Sequence, residues 1–547
     1  MFTLLKSSKL IILMFIFFSC LIFFQGVTQI PVLDRDEARF ASATKNMLET
    51  ENYIDISIEG VSRYKKPIGI YWLQSLSTKL FSNSPFNEIW TYRIPSTLGI
   101  LLSIIIIFIF TKKIFNKSIA LLSCFFLSTS FLLISEMHQA KTDGVLFLCI
   151  NICTLILLHN IHFYPKSKLR SSRELYKICF WLFFAFGVLI KGPIILIFIG
   201  FPILLFSILI RNIFLLKSIH TYYGYILFLI IVLPWFVLIS KISEGRFWHE
   251  SVINDLLNKV FSGQESHGFF PGYYSILLFL FMWPGCIFVV DATKKFFNKR
   301  KQIHKSETKI LFLICCFLPC FIFFELITTK LPHYVMPTYT SLSILLAVYI
   351  IDYKTKNFNL NFINLILLYF FPFLFISIYF SANILYSELD LEALLVTISL
   401  ICALILCYPY TKKCNVKKFV YCTGILQIIF YFVLVYSLNP KLEKFWIAKQ
   451  LNDIVSRKEN IEKKVFHTGF NEPSLIFLIG HKSKRLEPES MVKIAKNSRN
   501  NLFIMTEEKH QKFAKILSND ISTSQYYNFV GFNYSKGKFL KFIIYEN

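Results

Sequence analysis

Long apolar segments separated by short basic segments make up most of this chain. Windows such as 101–111 and 225–239 contain no charged residue. A helix needs about 17–25 apolar residues to cross a bilayer, and the chain contains thirteen runs of about that length. They predict spans near 9–30, 92–111, 118–135, 143–164, 177–192, 194–210, 222–242, 275–293, 309–328, 334–352, 361–382, 391–409 and 417–438.

Two of these runs need a separate interpretation. The fifth and sixth meet at Lys191-Gly192-Pro193, which predicts a sharp turn or a break within one long apolar region. The first follows Lys6 and Lys9 as a signal peptide would, but its apolar stretch is long and no small-x-small cleavage site follows it. We therefore expect an uncleaved first span.

The lysines and arginines predict the orientation. Basic residues gather in every second gap between the apolar runs, which is the pattern of loops that remain in the cytoplasm. Those gaps contain Lys112/Lys113/Lys117, Lys166/Lys168/Arg170/Arg173, Arg211/Lys217, Lys294/Lys295/Lys299/Arg300/Lys301/Lys305, Lys354/Lys356 and Lys412/Lys413/Lys417/Lys418. We therefore expect a cytoplasmic N-terminus and, after thirteen spans, a C-terminal end outside.

Two polar segments interrupt the membrane pattern. Residues 31–91 predict an outer loop with a helix over Arg39–Glu51 and an amphipathic, interface-lying helix over Ile70–Phe81. The chain thus divides into a membrane part, 1–438, and a soluble part, 439–547. The soluble part predicts a small periplasmic α/β domain with strands over Val465–His467, Leu475–Leu478, Leu502–Met505 and Leu540–Tyr545 and helices over Leu442–Arg457 and Glu507–Leu517.

Composition agrees with this division and excludes some functions. Apolar residues make up 55% of the chain and charged residues only 17%, which argues against a soluble protein. The net charge of +25 is spread between apolar runs instead of forming a basic groove, so we expect no nucleic-acid partner. The 13 cysteines form no CxxC pair, which supports neither a zinc site nor a disulfide framework.

Acidic residues at predicted outer ends of spans are the first candidates for chemistry. Asp36 and Glu37 follow the first span, where carboxylates could deprotonate an acceptor; they could equally cap the helix that follows. Asp143 opens the fourth span, where an acid close to hydrocarbon favours function over capping. Asp36 and Asp143 could hold a divalent cation, although two carboxylates are fewer ligands than such ions usually take.

Basic and aromatic residues on the same side could bind a phosphate or a sugar. Such side chains form charge-assisted bonds to phosphate oxygens, although anionic headgroups and snorkelling would explain them as well. They are Tyr64, Lys65 and Lys66 before Pro67, Lys191, Lys259 and His267 in the loop 243–274, and Lys330, His333 and Tyr334 in the run 330–334.

As an ordered set, these motifs resemble a known family. The segment 34–81, DRDEARFASATKNMLETENYIDISIEGVSRYKKPIGIYWLQSLSTKLF, is similar to the first outer loop of bacterial lipid-linked glycosyltransferases of the GT-C class. More narrowly, it resembles that of the aminoarabinose lipid A transferases, a group related to protein O-mannosyltransferases. That group's loop reads D-E-x-R-Y…E-K-P-P-x-x-Y-W and then R-x-P-S, here Arg93-Ile94-Pro95-Ser96; further matches are KTD at 141–143, LIKGP at 189–193, KLPHYVMP at 330–337 and NEPSLIFLIG at 471–480.

The resemblance implies a fold and a reaction. It implies thirteen transmembrane helices, outer juxtamembrane helices, a periplasmic α/β tail and inverting transfer of a sugar from undecaprenyl phosphate at the outer face of the inner membrane. By position, Asp36 matches the catalytic acid, with Glu37 beside it, and Asp143 matches a second carboxylate. Lys66 and Lys259 match cations on the donor phosphate, and Tyr334 lies near a tyrosine at the pocket mouth.

One departure from the family pattern affects the substrate. Where the group has Glu-Lys-Pro-Pro, this chain has Lys65-Lys66-Pro67-Ile68, which exchanges an acid for a base. If that acid recognises an amino group, this protein prefers another sugar. Lipid A is the expected acceptor, with a protein or polysaccharide as alternatives and a lipid or sugar transporter as the alternative from another class.

Overall fold

A computed structural model of the chain describes residues 24 and 26–547, except 164–169, 259–268, 354–356, 387–389, 461 and 518–523. Helices form most of residues 36–441. They are α1 Asp36–Thr50, α2 Gly69–Phe81, α3 Ile89–Ile114, α4 Lys117–Ser128, α5 Phe131–Met137, α6 Asp143–Phe163, α7 Arg170–Lys191, α8 Ile194–Ile210, α9 Phe214–Ile219, α10 Tyr222–Ile242, α11 Tyr273–Phe281, α12 Val289–Asn298, α13 Arg300–Ser306, α14 Thr308–Leu326, α15 Thr338–Val348, α16 Phe362–Tyr386, α17 Leu391–Lys412 and α18 Val416–Val433.

Several of these helices are long and apolar enough to cross a membrane. Seven such helices occur among the described residues, or up to nine if each of two bent pairs counts as one span. The first predicted span, 9–30, lies almost entirely outside the described residues, and α8 is apolar but shorter than the others. The polytopic helical architecture is therefore confirmed, whereas the count of thirteen stays a prediction.

Two predicted spans are broken. The run 118–135 forms α4 and α5, which bend by 63°, and the run 275–293 bends by 119° between Phe281 and Gly285. Pro284 lies in the second break and has no backbone N–H to continue a helix. At the first break the side-chain hydroxyls of Ser128 and Thr129 donate to backbone carbonyls of the preceding turn, bonds that often bend helices.

The polar segment after the first predicted span contains both expected helices, α1 and α2. A two-stranded hairpin, β1 Ser57–Ile58 and β2 Val61–Ser62, lies between them. Helix α2 buries Ile70 and Tyr71 and exposes Trp72, Leu76 and Leu80 on its other side. Its buried face packs on the helical core, so its exposed apolar face suits the membrane interface predicted for it.

A buried ion pair connects α1 to the membrane helices. The side chains of Glu37 on α1 and Arg93 on α3 are both fully buried, and two arginine nitrogens donate to the two carboxylate oxygens at 2.8 Å. Glu37 also accepts the backbone N–H of Leu33 at 2.9 Å and that of Ala140 at 2.8 Å. The arginine donates further to the carbonyls of residues 27, 30 and 31. Three separate segments, residues 27–37, α3 and the segment before α6, thus meet at one charge pair.

The C-terminal residues form a mixed five-stranded sheet with helices packed on it. The elements are α19 Ile447–Val455, β5 Lys464–Thr468, α20 Pro473–Ile479, β6 Ser483–Arg485, α21 Pro488–Asn497, β7 Asn501–Thr506, α22 Glu507–Ile516, β8 Ser524–Asn533 and β9 Lys538–Glu546. The strand order is β6-β5-β7-β9-β8, with parallel pairing among β5, β6 and β7 and antiparallel pairing of β9 with β7 and β8. A separate short pair, β3 Asn357–Asn359 and β4 Lys413–Asn415, joins two membrane helices.

One strand predicted for this unit is wrong. Residues Leu475–Leu478 lie in α20, which begins with Pro473 at its first turn. Proline is favoured there because the first helical N–H has no intrahelical partner. Four consecutive apolar residues cannot distinguish a strand from one turn of a buried helix. The other three predicted strands and the two predicted helices are confirmed, with ends shifted by up to five residues.

We predict that Glu37→Gln destabilises the protein, because it leaves the buried Arg93 charge without a counter-ion. Breaking a buried pair of this kind costs about 3–5 kcal/mol, so the thermal unfolding temperature in detergent should fall clearly. Glu507→Gln is the matched control, because Glu507 and its partner Lys541 are 47% and 46% exposed and exposed pairs contribute little. Equal unfolding temperatures for the two variants would contradict the structural role of Glu37.

Candidate active site

A large apolar cavity lies among the membrane helices. Its volume is about 1070 Å³, and helices α7, α8, α10 and α14 supply about half of the residues that line it. Leu196, Leu233 and Val237 line it and are 47–52% exposed at the helix surface. A cavity with such a wall can accept a lipid chain from the bilayer. Its apolar lining includes Phe184, Val188, Ile197, Phe198, Phe228, Val232, Phe236, Phe323 and Phe324.

A polar chamber adjoins one end of this cavity. Several residues line both spaces, so a molecule could place its apolar part in one and its charged part in the other. The shared residues are Lys65, Lys66, Asp143, Lys191, Asp255, His333 and Tyr334. The chamber is further lined by Asp36, Arg39, Phe40, Arg63, Lys141, Thr142, Thr329 and Leu331.

Asp36 begins α1 and lies at the wall of the chamber. Its side chain is 44% exposed and lies 4.0 Å from the guanidinium of Arg39. Burial by itself would raise the pKa of Asp36, but the positive charges of Lys141, Arg63 and Arg39 outweigh that effect and lower it. Asp36 is therefore a carboxylate at neutral pH.

Asp143 is one of several charges at the start of α6. Lys191 donates to its carboxylate at 2.6 Å, and Lys141 donates to the buried carboxylate of Glu136 at 3.1 Å. The ring nitrogens of His333 lie 3.7 Å from Glu136 and 3.8 Å from Asp143. Burial lowers the pKa of His333, so the imidazole is neutral and can both donate and accept a hydrogen bond.

Two glycines allow this cluster to form. A Cβ added to Gly144 would lie 2.5 Å from the carbonyl oxygen of Ser96, and one added to Gly99 would lie 2.5 Å from that of Gly144. Helices α3 and α6 can therefore touch backbone to backbone only because both positions lack a side chain. The hydroxyl of Ser96 also donates to the carbonyl of Lys141 at 2.9 Å. This contact holds the KTD segment beside α3.

Lys66 pairs with a partner that the sequence did not indicate. Its ammonium donates to the carboxylate of Asp255, which is 6% exposed and lies in a π-helical segment, His249–Leu257. Lys191 lies 5.5 Å from the ring centre of Tyr334, within cation–π range. Lys66 and Tyr334 thus border the same space as Asp143.

Three other candidates lie away from both spaces. Glu37 is fully engaged with Arg93 and backbone amides, so the structure favours a structural role over the predicted catalytic one. Tyr64 is 1% exposed and packs edge-on against Phe247. Lys330 is also 1% exposed and donates to the carbonyls of Phe269 and Ile327. Adjacent positions in a motif point to different sides of the chain, and a motif alone does not reveal which side faces a cavity.

The remaining two candidates, Lys259 and His267, belong to the loop 243–274. Lys259 and His267 lie outside the described residues, so their predicted places at the donor phosphate and in the pocket stay predictions. Asp255 lies four residues before Lys259 and is among the described residues.

The residues that lie close enough together to hold a metal ion are not the pair suggested by the sequence. Among the described residues, Glu136, Asp143 and His333 have potential ligand atoms within 4.8 Å of one another, and Asp36 is not in this group. Lys141 and Lys191 already form ion pairs with its two carboxylates. A divalent cation would have to displace or repel both ammonium groups, so the cluster fits a neutral ion-pair network better than a cation site.

Sequence reasoning did not select five residues of this site. Glu136, Lys141, Arg39, Arg63 and Asp255 lie at or beside the chamber. Arg39, Arg63 and Lys141 occur in segments already identified as motifs, so they could have been selected. Glu136 and Asp255 lie in segments that contain no recognised motif, and only the fold brings them to Lys141 and Lys66.

Several known proteins are similar to this chain. A family model described as dolichyl-phosphate-mannose-protein mannosyltransferase matches residues 65–238. The chain is 25% identical over 340 residues to undecaprenyl phosphate-alpha-4-amino-4-deoxy-L-arabinose arabinosyl transferase 2 of Proteus mirabilis, covering 60% of this chain and 57% of that protein. The undecaprenyl phosphate-alpha-4-amino-4-deoxy-L-arabinose arabinosyl transferase of Enterobacter sp. (strain 638) is 25% identical over 316 residues, which cover 57% of this chain and 54% of that protein. The match therefore spans little more than half the length of these relatives.

The fold extends the likeness to nearly the whole chain. The crystal structure of ArnT from Cupriavidus metallidurans bound to undecaprenyl phosphate superposes with a TM-score of 0.73 at 16% identity, over 98% of both chains. The apo structure of the same protein superposes with a TM-score of 0.72. The chain is thus a polytopic membrane protein with the GT-C fold. The resemblance to the aminoarabinose lipid A transferase and protein O-mannosyltransferase-like group is confirmed.

We predict that Arg39→Gln raises the pKa of Asp36, because it removes one of the positive charges that lower it. If activity requires the Asp36 carboxylate, the acid limb of the pH–rate profile should move to higher pH. Lys79→Gln is the matched control, because Lys79 is exposed at the end of α2. Profiles with the same acid limb in both variants would show that Arg39 does not act on Asp36.

Proposed function

We propose that this protein transfers a sugar from a polyprenyl-phosphate donor, undecaprenyl phosphate in bacteria, to lipid A at the outer face of the inner membrane. The observation that carries the proposal is the continuity between the lipid-sized apolar cavity and the charged chamber. A polyprenyl-phosphate sugar has the same division, with an apolar tail joined to an anionic phosphate and a polar head. The relatives whose names contain undecaprenyl phosphate support this choice of donor.

The donor phosphate belongs where the two spaces meet. Lys66 and Lys191 line both of them, and we propose that Lys259 binds the same phosphate, as the resemblance implies. Six basic and three acidic side chains line the chamber, an excess of positive charge that suits a phosphate. The phosphodiester of the donor gains negative charge as it becomes a leaving monoester. Positive groups fixed in place stabilise that charge more in the transition state than in the bound donor.

Asp36 is the group we propose to act on the acceptor. An acceptor oxygen attacks the anomeric carbon while the bond from that carbon to the donor phosphate oxygen breaks. The attack comes from the side opposite the phosphate, so the configuration inverts. Where the acceptor is a hydroxyl, its proton passes to the carboxylate of Asp36. A lowered pKa keeps this carboxylate ionised before the reaction.

The distribution of charge argues against a transporter. The described residues of the chamber lie at the beginnings and ends of helices, on the side predicted to be outside. Alternating access would require a site near the middle of the membrane that opens to both sides. A site at one face suits an enzyme that works at that face.

We predict that deleting the gene removes a sugar-sized mass from lipid A, and that the unmodified gene restores it. Asp36→Asn should express normally and fail to restore the mass, because the amide has the same shape but carries no negative charge and cannot accept the acceptor's proton. Mass spectrometry of lipid A checks this outcome. Full restoration by Asp36→Asn would remove Asp36 from its proposed role. Lipid A that is the same with and without the gene would move the acceptor to a protein or polysaccharide and reopen the transporter alternative.

We predict that Lys65 disfavours donors whose sugar carries a protonated amino group. Lys65 lines both spaces, and each of the three acids in the described chamber already has a basic partner within 4.0 Å. Lys65→Glu should therefore increase the rate with a 4-amino-4-deoxy-arabinose donor relative to a neutral-sugar donor. Lys79→Glu, which makes the same charge change on exposed α2, is the control. A rate ratio that does not change in Lys65→Glu would show that this charge does not select the sugar.

A further inference from the structure

The segment immediately before Asp36 is bound by the C-terminal sheet unit. The backbone N–H of Asp34 donates to the hydroxyl of Tyr534 at 2.6 Å, and the backbone N–H of Ser474 donates to the Asp34 carboxylate at 3.1 Å. The guanidinium of Arg35 donates to the carbonyl of Ser535 at 2.5 Å. These three bonds join residues that are 440 or 500 positions apart in the chain. On the N-terminal side, each bond involves a residue one or two positions before Asp36.

The two parts of the C-terminal unit that make these bonds are connected to each other. Ser474 lies at the start of α20, and Tyr534 and Ser535 lie in the turn between β8 and β9. The Asn533 side chain donates to the carboxylate of Glu472 at 2.9 Å across the gap between them. The helix start and the hairpin turn therefore form one surface, which we name the clamp: residues 472–474 and 533–535.

A second contact fixes the whole unit against α1. Phe477 is fully buried, and its ring packs edge-on against Tyr92 with centroids 5.3 Å apart. The ammonium of Lys45 donates to the carbonyl of Phe477 at 2.8 Å and to the side chain of Asn87 at 2.5 Å. Because this contact lies two to three helical turns along α1 from Asp34, the unit is held at two points and cannot pivot about one of them.

Asp36 therefore lies between two anchors of different origin. On one side the membrane part holds Glu37 through Arg93, and on the other side the clamp holds Asp34 and Arg35. Arg35 has a φ of 68° and a ψ of −113°, a conformation that non-glycine residues rarely adopt. Such a backbone persists only where its surroundings hold it, and strained backbone of this kind is concentrated at functional sites.

We propose that the C-terminal unit is a part of the active site, because its clamp positions the carboxylate of Asp36. Asp34 and Tyr534 are positioning residues in this arrangement, since neither lines the cavity or the chamber and both act through the backbone that carries Asp36. This inference rests on the proposed transferase function and adds to it a requirement for residues 472–474 and 533–535.

The test compares four variants of the full-length protein in detergent with undecaprenyl-phosphate sugar and lipid A. Asp34→Ala removes the acceptor of the Ser474 N–H, and Tyr534→Phe removes the acceptor of the Asp34 N–H. Each lost bond leaves a polar group without its partner, a cost that corresponds to about a tenfold loss in kcat if it is expressed at the transition state. Asp34→Asn keeps an oxygen for Ser474 and should retain most of the activity. Tyr527→Phe is the matched control, because Tyr527 is 40% exposed and lies on β8, the strand that leads into the turn of Tyr534; it should behave as the unmodified protein.

A second measurement separates positioning from loss of the fold. Binding of undecaprenyl phosphate, followed by quenching of tryptophan fluorescence, should be unchanged in Asp34→Ala and Tyr534→Phe, because the clamp does not touch the cavity. A lower kcat with the same donor KM and the same binding supports the clamp. Weaker undecaprenyl phosphate binding together with a lower unfolding temperature would show a general loss of structure and overturn the proposal. Full kcat in Asp34→Ala and Tyr534→Phe would overturn it as well.

Failure of the transferase function gives a different result. If the unmodified protein transfers no sugar to lipid A or to other acceptors, the proposed function is wrong, and the comparison of kcat values does not arise. If the unmodified protein is active and the clamp variants match it, the function stands and only the positioning role is lost.

Discussion

The buried ion pair between Arg93 and Glu37 supports the arrangement of everything around it. Removing two charges from water is costly, and here the cost is offset by a two-bond contact and by backbone partners for the remaining positions of both groups. Those backbone partners come from the segment before α1 and from the segment before α6. The pair therefore determines where two chain segments that carry Asp36, Lys141 and Asp143 lie relative to each other. It is a structural pair whose effect on chemistry is indirect.

Three ion pairs lie at or beside the place where the polar chamber meets the apolar cavity. Lys66 with Asp255, Lys191 with Asp143 and Lys141 with Glu136 form three ion pairs at buried or half-buried positions. Each pair lowers the cost of placing its charges beside an apolar space. When an anionic ligand arrives, the ammonium groups can bind the phosphate while they stay beside their carboxylates, so each lysine has an anionic partner in either state. Paired lysines can in this way serve both the empty and the occupied site.

Some of the residues selected from the sequence lie at the cavity or the chamber and others do not, for a definite physical reason. Asp36, Lys66 and Asp143 lie at the cavity or chamber because charged residues at the outer ends of spans have few places to go except a water-filled space. Glu37 was selected with them because it follows Asp36 directly. Successive residues on a helix point about 100° apart, so Asp36 faces the chamber while Glu37 faces Arg93. The same limitation applies to Tyr64, which precedes two chamber lysines and packs in the core.

The amino-acid sequence by itself determined the membrane class of the protein, the helices of its outer segment, most elements of its C-terminal unit and the family that it resembles. Those features depend on hydropathy, charge between apolar runs and short motifs, which are local properties of the chain. Only the tertiary structure decided the breaks in two spans, the pairing of Lys66 with Asp255, the structural role of Glu37 and the contact of residues 34–35 with a unit nearly 500 positions away. These features depend on which side chains meet after packing, and no local pattern specifies the partner of a buried charge or the surface against which a turn will rest.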